Sequence, residues 1–148
     1  MALSRRYFGL LLPALVKAAE QQEKAQSNAG PLLPVKIYHH SQIPYTGNEE
    51  KKGRRFFAGS THGGFNLEAH ETILGPGKET HAPHRHEHEE IVLVTEGSLE
   101  VNVEGKSETA ETGSAIYFGS NLTHNARNSG TTPCRYFVLE LRGNEPVA

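Results

Sequence analysis

Three histidines alternate with charged residues just ahead of an apolar run, in the stretch His84-Arg85-His86-Glu87-His88-Glu89-Glu90. If this stretch is part of a strand, alternate side chains point to opposite faces, so His84, His86 and Glu90 share one face. Two imidazoles and a carboxylate on one face can converge on a single ion. His88 has the same parity, so it could replace His86 as a ligand or orient a ligand from outside the ligand set.

The run that follows, Ile91-Val92-Leu93-Val94, is apolar on both alternating faces. Such a strand is expected to be covered on both sides and to lie at the centre of a sheet. A second sheet, the N-terminal segment or another subunit could supply the second cover. Glu96-Gly97-Ser98 and Glu104-Gly105-Lys106 then predict two tight turns, because glycine takes positive φ without steric cost. Together these features predict a meander of three strands.

The rest of the chain from Val35 onward consists of short β-rich runs separated by turn signals, with no sustained helical period. This pattern predicts an all-β sandwich or barrel. The predicted strands are Arg55–Ala58, Asn66–Leu74, Glu89–Thr95, Leu99–Val103, Ala115–Phe118, His124–Asn128 and Arg135–Leu141.

A fourth histidine, His124, begins a predicted strand after a turn, and a barrel could bring it opposite the first stretch. The two stretches resemble the paired motifs of the cupin superfamily. The positions that carry the resemblance are Gly77, His84, His86, Glu90 and Gly97 in the first motif, and Gly113, His124 and Asn128 in the second. The chain departs from the family pattern in an extra residue between Gly77 and His84, and in Gly119 and Asn121, which replace the usual proline and glycine. Asparagine tolerates the left-handed region that such a turn requires.

The resemblance covers roughly Lys36 to Leu141 and implies a jelly-roll barrel, the double-stranded β-helix of the cupins. It also implies one divalent metal ion held by His84, His86, Glu90 and His124. The alternative, in which these are solvated polar residues around a loop, is disfavoured by their number and order. Fe²⁺ or Mn²⁺ suits three imidazoles and a carboxylate, and Zn²⁺, Ni²⁺ and Cu²⁺ remain open because affinity alone does not select among them.

An ion with open coordination positions can activate a small molecule in several ways. We therefore expect a metal-dependent, oxygenase-like enzyme, such as a dioxygenase of a small chelating acid, phenol or diketone, with Glu90 also acting as a catalytic proton carrier. Two alternatives stay open: a non-catalytic module that binds or senses a metal or small ligand, and a metal-dependent isomerase or lyase. His70, Tyr117 and Arg127 are expected near the cavity, with ordinary surface positions as the alternative.

Length and composition are consistent with one compact domain plus a short tail, at 148 residues. Lys and Arg number 15 against 17 Asp and Glu, with no basic block, so we expect no nucleic-acid partner. A single cysteine, Cys134, rules out an intramolecular disulfide and a paired-thiolate metal site, and is expected to be a small buried hydrophobe. A homodimer is expected, since symmetric dimers are the commonest oligomers.

Residues 1–30 are predicted to be an export signal and linker, ahead of a barrel domain at 31–148. The segment Ser4-Arg5-Arg6-Tyr7-Phe8 resembles a twin-arginine signal, which predicts a location in the bacterial periplasm. The apolar stretch behind it falls short of the roughly 20 residues that a membrane-spanning helix needs. The alternative is an amphipathic helix that packs on the barrel or on a partner, in which case the protein would stay in the cytoplasm.

Overall fold

In residues 30–143, which a computed structural model describes, the chain is built almost entirely from β-strands. A short 3-10 helix, His40–Gln42, precedes them. The strands are β1 (Thr46–Gly47), β2 (Lys51–Ser60), β3 (Asn66–Leu74), β4 (Glu89–Glu96), β5 (Ser98–Val103), β6 (Lys106–Glu111), β7 (Ala115–Phe118), β8 (His124–Arg127) and β9 (Cys134–Arg142). The prediction of an all-β fold is confirmed.

The strands form two antiparallel sheets around one core. The larger sheet has the order β1-β2-β3-β9-β4-β7, and the smaller has the order β6-β5-β8. Side chains from both sheets meet in a single hydrophobic cluster of Leu74, Val92, Val94, Leu99, Val101, Phe118, Ala126, Cys134, Tyr136 and Val138. Cys134 is fully buried in this cluster, as predicted from its residue type.

Strand β4 lies inside the larger sheet, between β9 and β7, as its apolar sequence predicts. Val92 and Val94 point into the core and are almost fully buried. Leu93 on the opposite face is 39% exposed, so no described residue covers that face fully. The expectation of cover on both sides is therefore met on the inner face only.

Both predicted turns are present, but the meander of three strands is wrong. Gly97 and Gly105 have φ of 76° and 78°. A residue with a side chain would be strained in this backbone conformation, which glycine adopts readily. Strand β5 pairs with β6 and β8 in the smaller sheet, whereas β4 pairs with β7 and β9 in the larger. The corner at Gly97 thus carries the chain from one sheet to the other and helps to close the barrel.

Strand bounds agree closely with the sequence in most places. The predicted strands Asn66–Leu74 and Ala115–Phe118 match β3 and β7 residue for residue. Strand β6 is the third strand of the predicted meander, but the sequence predicts no bounds for it, because nearly all its residues are exposed and no apolar alternation marks it. The predicted export segment lies outside the described residues. Within residues 30–143, no helix has the length and apolar character needed to cross a membrane.

Candidate metal centre

The segment that holds His84 reaches the site by a backbone bridge and not by strand alternation. Strand β4 begins at Glu89, so the three histidines precede it in an irregular segment. The His84 N–H donates to the carbonyl oxygen of His124 at 3.1 Å, and the His124 N–H donates to that of His84 at 2.9 Å. This pair of hydrogen bonds brings the two imidazole rings to 4.8 Å between centroids. The structure thus brings residues of the two motifs close together, but through a backbone bridge between His84 and His124 and not through alternation along a strand.

The His124 side chain is held with one ring nitrogen free toward the cavity. It is only 2% exposed, and Nδ1 lies 2.9 Å from the carbonyl oxygen of Leu122. Because a carbonyl can only accept, we assign the proton to Nδ1, which leaves a lone pair on Nε2. That Nε2 is buried, lacks a hydrogen-bond partner among residues 30–143, and lies 3.8 Å from Glu90 Oε2. Phe118 stacks on the ring at 4.3 Å and fixes its plane.

His86 is oriented in the same way as His124, by a contact between its Nδ1 and a backbone carbonyl. Its Nδ1 lies 2.8 Å from the carbonyl oxygen of His88, so the proton again belongs on Nδ1. Its Nε2 is buried, has no hydrogen-bond partner in the described part of the chain, and lies 3.3 Å from Glu90 Oε1. In the neutral form of each ring, two imidazoles therefore present Nε2 lone pairs toward the two oxygens of one carboxylate.

His84 contributes a third imidazole with a buried ring nitrogen, Nδ1, that makes no hydrogen bond within residues 30–143. Burial, followed by the nearby His124 and His86 rings, lowers the pKa of His84 below its usual 6.5. The ring is therefore neutral at physiological pH, which is the form that binds metal.

These donor atoms are grouped closely enough for one ion to be held among them. Ligand atoms about 2.1 Å from an ion, at octahedral or tetrahedral angles, are about 3.0–3.4 Å from one another. One ligand atom from each of His84, His86 and His124 lies within 4.8 Å of the others, and Glu90 meets His86 and His124 at 3.3 and 3.8 Å. A buried polar atom without a partner costs about 1–3 kcal/mol. An ion would satisfy several such atoms at once.

His88 lies beside this set, and both roles expected for it stay open. Its ring stacks flat on His86, with 3.5 Å between centroids and 5° between planes. Its Nε2 is 3.5 Å from Glu90 Oε1 and 3.6 Å from Glu140 Oε2. His86, His88 and Glu90 therefore form a second group with metal-ligand spacing.

The imidazoles form part of the wall of a cavity of about 440 Å³ inside the barrel. Its apolar walls come from Val92, Leu99, Ile116, Phe118 and Val138. Other polar groups in the cavity wall include His70, Glu140, Arg142 and the phenol of Tyr136. Burial raises the pKa of Tyr136 far above its usual 10, so its hydroxyl stays protonated. A cavity of this size with a few convergent polar groups suits a small organic ligand.

Two of the three residues expected around the cavity are elsewhere. Tyr117 is 61% exposed and donates to Glu89, and Arg127 is exposed and paired with Glu100. Parity explains both errors, because the inward positions on these strands belong to Phe118 and Ala126. His70 does line the cavity.

Sequence reasoning missed the acidic side chains on the inner barrel face, Glu68 and Glu140. Both are nearly buried, at 9% and 8% exposure. The available signal was strand parity, since Glu140 shares a face of β9 with Tyr136 and Val138. Asn128, the last motif residue, is not among the residues that line the cavity. Its side chain instead holds a loop in place through hydrogen bonds. Its buried amide donates to the carbonyls of Leu74 and Thr132 and accepts from the Gly130 N–H.

Comparison with known proteins supports the same fold. The cupin domain family matches residues 70–140, the part that holds His84, His86, Glu90 and His124. A search of curated proteins found no match. The chain is similar to the structure of an RmlC-like cupin from Shewanella frigidimarina, with 20% identity, a TM-score of 0.62, and coverage of 74% of this chain and 93% of that one.

Two further solved structures share the architecture. The polyketide cyclase RemF from Streptomyces resistomycificus is 22% identical, with a TM-score of 0.59 and coverage of 77% of this chain and 84% of that chain. A sugar phosphate isomerase of the cupin superfamily from Silicibacter pomeroyi is 16% identical, with a TM-score of 0.59 and coverage of 72% and 76%. At these identities the likeness concerns the fold alone. The chain has the cupin fold, and its residues 70–140 match the cupin domain family.

Proposed function

We propose that this protein is a metal-dependent cupin enzyme acting on a small molecule, with one divalent ion held by His84, His86, Glu90 and His124. The observation that carries the proposal is a set of three buried imidazole nitrogens that lack a hydrogen-bond partner within residues 30–143 and lie near one carboxylate. They lie in the wall of a cavity that could hold a substrate. Fe²⁺ or Mn²⁺ suits this mixed nitrogen and oxygen set, and Zn²⁺, Ni²⁺ and Cu²⁺ are the alternatives.

The residues of the chain would divide the work of binding and proton transfer. A bound ion would supply Lewis-acid or oxygen-activating chemistry. The apolar walls would exclude water and bind the hydrocarbon part of the substrate. Glu90, whose Oε1 lies 3.3 Å from His86 Nε2, could accept a substrate proton. The buried Tyr136 hydroxyl would keep its proton throughout.

For the reaction class, we propose oxygenase-like turnover, such as that of a dioxygenase, of a small chelating acid, phenol or diketone. The test is oxygen uptake by the iron-loaded protein with a panel of such compounds. His84→Asn/His86→Asn provides the matched variant, and uptake should occur in the parent only. No uptake with any compound would contradict the oxygenase reaction while leaving the metal centre standing.

Isomerase or lyase chemistry is the second candidate. Two of the structures with this fold are described as a polyketide cyclase and a sugar phosphate isomerase, so the architecture serves reactions of other classes. Proton NMR of the same panel with zinc-loaded protein would detect rearrangement without oxygen. A metal-binding or sensing module without turnover is the third candidate, and it predicts ligand-induced stabilisation with unchanged substrate signals.

We also propose a homodimer formed through the outer face of the larger sheet. Leu93 and Tyr117 are diagonal neighbours on adjacent strands there and are 39% and 61% exposed. Pairing this face in a second copy would bury them. Light scattering after gel filtration should give a dimer for the parent and a monomer for Leu93→Lys, and a monomeric parent would contradict the proposal.

For the N-terminal region, we propose that residues 1–30 are a twin-arginine export signal and linker ahead of a cupin domain at 31–148. The support is the Ser4-Arg5-Arg6-Tyr7-Phe8 sequence. Replacing Arg5 and Arg6 by lysine should keep the protein in the cytoplasm of a bacterial host. Unchanged export would contradict this route.

A further inference from the structure

A second set of donor atoms lies on the inner face of β3 and β9, next to the four proposed ligands, because Glu140 on β9 pairs directly with Glu90 on β4. Glu68 on β3 pairs directly with Glu140 on β9, and His70 lies two residues along β3 on the same face. Like charges directly opposite each other in a sheet are destabilising. Both carboxylates are nearly buried, at 9% and 8% exposure, so solvent screens them little. This pair requires compensation from its surroundings.

An arginine lies beside one oxygen of each carboxylate. Glu68 Oε2 lies 3.6 Å from Arg55 Nη1, and Glu140 Oε2 accepts from Arg142 Nε at 3.0 Å. The other oxygens turn toward His70 Nδ1, Glu68 Oε1 at 3.5 Å and Glu140 Oε1 at 3.8 Å. Oε2 of each carboxylate thus faces an arginine, and Oε1 of each faces the imidazole.

The His70 nitrogen is buried and has no hydrogen-bond partner within residues 30–143. Its distances to the two oxygens are longer than N–H···O hydrogen bonds, which are about 2.7–3.2 Å. They are close to the separation of two ligands on one ion, about 3.4 Å at tetrahedral angles. One nitrogen and two oxygens therefore surround a position that a cation could take.

We propose that Glu68 Oε1, His70 Nδ1 and Glu140 Oε1 bind a second divalent cation, separate from the ion of the three-histidine centre. Mixed imidazole and carboxylate ligands suit Zn²⁺ or Mn²⁺. This site fills after the first, because Arg55 and Arg142 already offset the charge of its carboxylates. His70 and Glu140 line the cavity, so the remaining coordination positions are accessible to a ligand inside it.

The two sites are close but use different residues. His88 Nε2 lies between them, 3.5 Å from Glu90 Oε1 and 3.6 Å from Glu140 Oε2. Neither Glu68 nor His70 is among the four ligands proposed for the first ion. Variants at Glu68 and His70 therefore probe the second site with the first ligand set intact.

The test is a zinc titration of the full chain, produced without a histidine tag, followed by equilibrium dialysis and elemental analysis. The parent should bind about two equivalents in two steps. Glu68→Gln and His70→Asn should each lose the second step, with its affinity reduced at least about 10-fold. The control His62→Asn, in an exposed turn, should keep both steps. His84→Asn/His86→Asn should lose only the first step.

Zinc-edge anomalous diffraction from the parent should show one peak between His70 and Glu140 and another beside Glu90. A single equivalent that only His84→Asn/His86→Asn removes would overturn this inference and leave the proposed function intact. Two equivalents that both survive in His70→Asn and in Glu68→Gln would also overturn it, because the second ion would then lie elsewhere.

Discussion

The two donor clusters in the barrel are oriented by different parts of the protein. In the three-histidine centre, backbone carbonyls of Leu122 and His88 accept from Nδ1 of His124 and His86, which leaves Nε2 of each ring free. In the second cluster, the side chains of Arg55 and Arg142 lie beside Oε2 of each carboxylate, and Oε1 of each faces His70 Nδ1.

This difference predicts that the two clusters differ in their affinity for a cation and in their tolerance to substitution. Backbone carbonyls add no full charge, so the first cluster keeps the charge of Glu90 to attract an ion. The arginines neutralise the second cluster and weaken its attraction for a cation. The first cluster is also tied to the core, since His124 is 2% exposed and stacked on Phe118, whereas the His70 side chain is 26% exposed.

The largest effect should follow removal of the most buried ligand. His124→Ala should lower the affinity of the first site for Zn²⁺ or Mn²⁺ by more than about 100-fold, because even partners outside the ligand set account for 10–100-fold. His70→Asn should leave that affinity unchanged within about 3-fold. Competition with a chelating dye measures both. Equal losses in the two variants would mean that the clusters act as one site.

A smaller effect should follow loss of the ring that orients His124. Phe118→Leu should weaken metal binding about 10-fold by freeing the imidazole plane, and should reduce the free energy of unfolding by about 1 kcal/mol. Val101→Ala, a core substitution on β5, is the control. It should reduce stability by a similar amount while metal affinity stays at the parent value. Weakened binding in both variants would attribute the effect to general destabilisation.

The smallest effect concerns pH. The pKa of His84 lies below 6.5 in the folded chain because of burial and the neighbouring imidazoles. As pH falls through 6.5, the unfolded chain takes up a proton that the folded chain does not, so stability falls until the folded pKa is passed. Thermal unfolding of metal-free protein should therefore show a lower Tm at about pH 5.5 than at about pH 7.5. His84→Asn should show a smaller difference, and an equal one would contradict this assignment.

The sequence was most informative where neighbours along the chain determine the structure. Parity and turn residues were enough to predict β3, β7 and the glycine turns, and Asn121 does adopt the left-handed conformation, with φ of 60°. Both histidine motifs were visible because their spacing is local. The backbone bridge between His84 and His124 was not predictable, since it joins segments that are far apart in sequence.

The second cluster shows where sequence reasoning ends. Glu68 and Glu140 look like ordinary surface acids until the register of β3 against β9 places them opposite each other. Register between distant strands depends on the packing of the whole barrel. For the same reason, the sequence could not show that β4 and β5 belong to different sheets.

The central claim is the metal centre, and the most direct measurement is the metal content of the purified full chain by elemental mass spectrometry. The account predicts at least about one equivalent of a divalent metal per chain, with iron or manganese expected. His84→Asn/His86→Asn, prepared in parallel and checked for folding by circular dichroism, should contain about one equivalent less. Equal metal content in the two proteins, or no metal in the parent even after reconstitution, would contradict the claim.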